Sequence, residues 1–134
     1  MAWRVSGDAD LPLADREREW DSAAAEKRLF HRAGWDDNPN PEKAREGFFV
    51  HDDAAPENKT AYKLPFADVI DGRLMAVPRG IFSAAQVLEG ARGGVDLPKD
   101  VIARVRRRVG TYYHKMGEEP PWQETEQAHA SSAR

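Results

Sequence analysis

Asp71-Gly72 is the dipeptide that most restricts what this chain can fold into. Apolar residues flank it on both sides: Tyr62, Leu64 and Phe66 alternate and Val69-Ile70 follow, then Leu74 to Val77 lie beyond the turn. Asp-Gly supplies the two positive φ values of a two-residue type I′ turn, so the segment predicts a β-hairpin. Pro65 removes one ladder donor and marks a bulge or an edge, and Pro78 ends the second strand. A short helix is expected from Gly80 or Ile81 to about Glu89, with Ile81, Ala84, Ala85, Leu88 and Ala91 on one stripe. Gly90 and Gly93-Gly94 break it. Asp96-Leu97-Pro98 then opens a last helix that runs to Met116 and stops at Gly117. Its apolar residues Val101, Ile102, Val105, Val109, Tyr112 and Met116 form a stripe of about 100°, the width of a core-facing side.

The segments before the hairpin are less regular. Residues 1–14 read as an irregular arm in which Trp3, Val5 and Leu13 are able to dock on the body. A helix is expected from about Asp15 to Ala33, stopped by Gly34. Its apolar residues fall on two sides, so it is partly covered on both, bent, or shorter than that span. Trp35 to Lys43 reads as a loop, Gly47 to His51 as a short strand and Asp52 to Lys59 as a polar loop. Residues 118–134 open with Glu-Glu-Pro-Pro and continue mainly in Gln, Glu, Ala and Ser, a composition expected of a disordered acidic tail. The sum is one α+β domain over residues 15–117. A small antiparallel sheet, the hairpin plus one short strand, packs against two to three helices.

Composition limits the function classes. The 134 residues carry a formal charge of −3, so nothing global calls for nucleic acid. There is no cysteine, which removes disulfides, cysteine nucleophiles and thiolate metal sites. No apolar run reaches the roughly 20 residues of a membrane span, and no secretory signal opens the chain. A soluble protein of the cytoplasm, or one associated with a virion, is expected, with no cofactor.

The strongest candidate site is the basic face of the last helix. From Lys99 to Met116 there are six basic side chains against one acidic, a local charge of +5 that leaves −8 for the rest. Arg104, Arg107, Arg108 and Lys115 project away from the apolar stripe. Such a face suits an acidic protein partner, the chain's own acidic tail, phosphates, or plain solvent. Arg92-Gly93-Gly94 at the helix entry is either an anion-binding nest or a tight turn. His51-Asp52-Asp53 is either a metal or acid–base site, or a polar loop after a strand. His31, His114 and His129 have no partner at metal-ligand spacing. Ser83 reads as a residue at a helix start that bonds the backbone, without a visible base. Trp3, Trp20, Trp35 and Trp122 either anchor loops or contact a partner, as Trp and Arg often do.

Several of these stretches resemble a small domain of bacteriophage and prophage proteins linked to head morphogenesis and to prohead proteases. They are WDSAAAEKRL, GFFVHDD, the run from Ala61 to Pro98, and the helix ending TYYHKM. The resemblance covers about Leu11 to Met116 and is most specific in YKLPFADVIDG and ARGGVDLP. It implies a structural or accessory role through protein contacts, with a phage structural protein or a second copy as partner. It supplies no catalytic residues. The alternatives are a nucleic-acid-binding module that uses the basic helix, and a small enzyme with a site near His51, Asp52 and Asp53.

Overall fold

A computed structural model describes residues 2–6 and 9–122, except the side chain of Arg92. It is an α+β fold with two small antiparallel sheets. In the first, β1 (Trp3–Val5) pairs with β2 (Phe48–Asp52), which pairs with β3 (Tyr62–Pro65). The registers place Val5 opposite Val50 and His51 opposite Tyr62. The second sheet is the hairpin of β4 (Ala67–Ile70) and β5 (Arg73–Ala76), with Ile70 opposite Arg73. Its turn residues Asp71 and Gly72 have φ of 51° and 77°, the pair of positive values that a type I′ turn demands.

The expected strand from Tyr62 to Ile70 is two strands in two sheets. Pro65 has no N–H for a ladder, and the chain turns at Phe66. Phe66 is fully buried and stacks on Phe49 with centroids 3.9 Å apart. Its N–H donates to the Gly47 carbonyl, and its own carbonyl accepts from Val77 N–H. The sheet is therefore not a hairpin plus one strand: β3 leaves the hairpin to pair with β2.

β2 is buried at all five positions, as a central strand covered on both faces must be. On one face Phe48 joins Phe30, Trp35 and Tyr62, with centroid spacings between 5.0 and 5.7 Å. On the other, Phe49 and Phe66 meet Tyr112. Helix α1 (Ser22–Arg32) supplies the first face through Leu29 and Phe30. Its cap is Asp21, whose carboxylate accepts from Ala24 N–H at 3.2 Å, so the helix does not start near Asp15 as expected. Residues 15–21 have good propensity but Trp20 as their one apolar residue, and the N-cap decides where the helix starts.

Two further segments are more ordered than their composition indicates. The arm contains β1, and its residues 12–14 run beside β5: Ala76 N–H donates to Pro12, and Ala14 N–H donates to Ala76. The proline-rich loop contains a one-turn helix, α2 (Pro41–Arg45), capped by Asn40 with Pro41 in its first turn.

Helix α3 (Pro78–Leu88) buries Ile81, Ala84, Ala85 and Leu88; it starts at Pro78, not at Gly80. Helix α4 (Lys99–Lys115) buries Val101, Val105, Val109 and Tyr112, while Ile102 is only half-buried. The packed body extends past Gly117. Pro120 is fully buried, and Trp122 is 7% exposed against Tyr113 and the Arg106 guanidinium. The boundary expected at residue 117 thus falls inside the packed region, because Trp122 has an aromatic surface to cover. Residues 123–134 of the expected tail, His129 among them, lie outside the described residues.

Candidate functional site

The basic helix face is used mostly within the chain. Arg108 donates to the Ala9 carbonyl at 2.8 Å, and its guanidinium lies 5.0 Å from the Tyr112 ring centre. Lys115 reaches both the Leu11 carbonyl, at 2.7 Å, and the Asp10 carboxylate, at 2.9 Å. The Tyr112 hydroxyl donates to Ala9 and accepts from Leu11 N–H. Together these groups clamp residues 9–11 onto α4. Lys115's hydrogen bond and charge hold Asp10 below the usual carboxylate range. Arg104 pairs with Asp100 one turn earlier at 3.3 Å, and Arg106 pairs with Glu89 at 3.7 Å. Arg107 is exposed, and its carbonyl accepts from the Thr111 hydroxyl. Of the four expected contact residues, Arg107 alone extends from α4 without a protein partner for its side chain among the described residues.

Arg92-Gly93-Gly94 forms a 3-10 turn over Ala91–Gly93. Gly93 and Gly94 have positive φ, and Gly94 N–H donates to the Ala91 carbonyl, so it closes the turn rather than facing an anion. The Arg92 side chain lies outside the described positions.

His51, Asp52 and Asp53 divide into two roles. Asp52 accepts from Ala2 N–H at 2.7 Å and from Ala54 N–H at 3.0 Å, which fastens the edge strand and the following turn. These two bonds lower its pKa. His51 is buried and its Nε2 meets Asp53 Oδ1 at 2.9 Å. Arg4 and Arg45 approach the same carboxylate at 3.4 and 3.7 Å. Burial, then the Arg45 charge, push the His51 pKa down against the pull of Asp53. Ser6 lines the same hollow of about 370 Å3, yet its hydroxyl is committed to the Phe48 carbonyl at 2.7 Å. A carboxylate-oriented histidine is present, without an uncommitted hydroxyl beside it among the described residues. Among the described residues no group of three or more His, Asp and Glu is placed to hold a metal.

Ser83 lies in the middle of α3 rather than at its start. It lines a groove of about 600 Å3 between α1, α3 and β3. Ala23, Glu26 and Phe30 of α1 form one wall; Ser83, Ala84 and Val87 of α3 form the other. Tyr62 to Pro65 form the floor, and half-buried Trp20 lies alongside. Lys27, Lys59 and Lys63 also line the groove, against the single carboxylate of Glu26, whose pKa burial raises. Lys59 lies over the Phe30 ring at 5.5 Å, and the Lys63 ammonium reaches 5.7 Å from the Trp3 ring centre.

One residue in the floor is strained. Leu64 has φ of 61° and is 6% exposed. A branched aliphatic side chain in the left-handed region is a true outlier, and such outliers gather at binding and switch sites. The sequence pattern carries no sign of this groove, because its walls come from residues 23–30, 59–65 and 83–87, brought together only by the tertiary fold. Of the four tryptophans, Trp35 and Trp122 anchor local structure, Trp3 sits on β1, and Trp20 borders the groove.

No protein-family model, no curated protein and no solved structure matches the chain. No helix among the described residues is long and apolar enough to cross a membrane.

Proposed function

We propose that this domain works by holding a protein partner, as a structural or accessory component and not as a catalyst. The observation that carries this reading is the groove between α1, α3 and β3. It is walled by aromatic and aliphatic side chains, rimmed by lysines and floored by a strained strand. The resemblance of residues 11–116 to a phage domain supports a partner among head-morphogenesis proteins.

The basic helix supports nucleic-acid binding poorly. Arg104, Arg108 and Lys115 already hold Asp100, Ala9, Asp10 and Leu11. Phosphate contacts there would have to displace these bonds. The deciding experiment is co-purification from cells that make the protein, with native chain beside Val87→Arg. Val87 is half-buried in the groove wall, so arginine there blocks the groove while its stem still covers apolar surface. A stoichiometric protein partner lost in Val87→Arg is expected. Double-stranded DNA held at about 50 mM salt and released steeply by about 200 mM would instead make the domain a nucleic-acid binder.

A further inference from the structure

We infer that the groove receives an acidic amphipathic helix of the partner protein, laid with its apolar face between Ala23 of α1 and Val87 of α3. This rests on the protein-contact reading and names the partner's chemistry. The floor decides the backbone form of the occupant. β3 offers no ladder to an incoming strand: Tyr62 N–H already donates to the Lys59 carbonyl, Leu64 leaves the extended region at φ of 61°, and Pro65 has no N–H. A segment lying on this floor must therefore satisfy its own peptide groups. A helix does so within itself, and an amphipathic helix seated in an apolar groove is a recurring mode of recognition. A polyproline segment also needs no ladder, but it is read by exposed aromatic rings. Here Phe30 and Tyr62 are only 4% and 5% exposed. Apart from half-buried Trp20, the apolar surface left to an occupant is aliphatic: Ala23, Val87 and Val95.

Charge sets the sequence of that helix. Lys27, Lys59 and Lys63 line the groove and hold no carboxylate among the described residues, against the single carboxylate of Glu26. The α3 wall of Ser83, Ala84 and Val87 is uncharged, so the cations lie on the α1 and β3 side. The helix that fits carries carboxylates along one flank of its apolar face, and a basic helix is repelled. A second hollow of about 440 Å3, which reaches Trp35, shares Lys27, Phe30 and Lys59 with the groove. The surface thus takes a segment and not a single side chain. A second copy is disfavoured by its own charges. α1 has Lys27, Arg28 and Arg32 against Glu26, α4 has six basic residues against Asp100, and α3 has no acidic residue, so none of the three offers an acidic face. Residues 123–134 include Glu124 and Glu126, but alanine is their largest aliphatic residue, so they have little to fill an apolar wall.

The probe is a synthetic peptide of about 18 residues, with leucines at helical spacing on one face, glutamates beside them and alanines elsewhere. It is titrated into the intact isotope-labelled chain and followed by amide shifts, with circular dichroism reporting its helix content. Binding at about 100 μM or tighter is expected, with shifts at Ala23 to Lys27 and at Ser83 to Val87, and with a gain of helix. One control carries lysine in place of glutamate. Another has the same composition with leucines at alternate positions, the pattern of a strand, and a third is an acidic proline-rich peptide. Each control should bind at least about tenfold more weakly. Lys27→Glu with Lys59→Glu, both at exposed positions, should weaken the glutamate helix about tenfold and leave the melting temperature unchanged within about 3 °C.

Equal binding of the alternating or the proline-rich peptide overturns the helix. Equal binding of the lysine peptide, or undiminished binding by the double charge reversal, overturns the acidic specificity. A gain of about tenfold on truncation after Trp122 would make the chain's own tail the occupant, and a dimer at about 100 μM that Val87→Arg abolishes would make it a second copy. Either result removes the partner helix. If no probe binds while Val87→Arg still loses the cellular partner, the helix inference fails and the protein-contact reading stands. If Val87→Arg keeps its partner, that reading itself falls.

Discussion

Asp68 ties the hairpin to α1, and its removal tests how the two halves of the fold are joined. Its side chain is 5% exposed. It receives both nitrogens of the Arg28 fork, at 2.7 and 2.8 Å, and the Val69 N–H at 2.7 Å. Arg18 stands 3.8 Å away. Asp68→Asn keeps the shape and removes the charge. Breaking a buried pair costs about 3–5 kcal/mol when the surviving ion is trapped. Here Arg28 and Arg18 remain 47% and 37% exposed and regain water, so the trapped-ion part is small. What is lost is the charge assistance of the hydrogen bonds, about 2 kcal/mol. For a chain of this length that lowers the melting temperature by about 8 °C.

The same residue gives a signed pH dependence. Burial raises the Asp68 pKa, but the Arg28 hydrogen bonds, the Val69 N–H and the two arginine charges outweigh it, and the net shift is downward from 3.8. A lowered folded pKa means that the contribution is complete above the unfolded value. It is lost as pH falls through the folded one. Urea unfolding should therefore show a gap of about 2 kcal/mol between the native chain and Asp68→Asn at about pH 7, and a narrowing gap below about pH 4. A cycle with Arg28→Ala should return a coupling of about 1–2 kcal/mol. A gap under about 0.5 kcal/mol at neutral pH, or one unchanged down to about pH 3, would refute the argument.

Three further outcomes are expected. Gly72→Val, at φ of 77°, should cost more than about 1 kcal/mol in denaturant unfolding, and a neutral result would mean that the turn is not type I′. Val105→Asp places a carboxylate at a fully buried position and should abolish the cooperative melt, whereas Arg107→Glu, on the exposed side of the same helix, should change stability by less than about 0.5 kcal/mol. Trp122→Ala should lower stability by about 1–3 kcal/mol: less than a core tryptophan, because the loss cannot exceed the docking free energy of the short segment that carries it. Unchanged calorimetric melting of that variant would return residues 118–122 to the tail.

What is legible in the sequence is what local chemistry decides. Asp71-Gly72 needs only its own φ preferences, and the hairpin turn stands where they put it. The valines of α4 need only a helical period, and Val101, Val105 and Val109 are buried in sequence. The α1 start is missed when propensity is read ahead of the cap: Asp21 holds a helix N–H that Asp15 does not, since Asp15 accepts from Glu17 in a turn. β1 and α2 read as irregular because three or five residues carry too little pattern. Their order comes from Asp52 holding Ala2, and from Asn40 holding Lys43.

The site is less legible for a reason that the basic helix makes plain. Periodicity shows which side of α4 is polar, but not what that side meets. The partners of Arg108 and Lys115 lie about a hundred residues away, and two of them are backbone carbonyls, at Ala9 and Leu11, which no residue type announces. A cation that already holds a carbonyl and a carboxylate is a poor first contact for a partner, because binding must replace those bonds before it gains any. The groove over β3 stands in the opposite position. It is lined by Lys27, Lys59 and Lys63, which hold no carboxylate among the described residues and need not leave an ion pair to meet one. On that balance the proposed contact surface is the groove, while Arg108 and Lys115 hold residues 9–11 against α4.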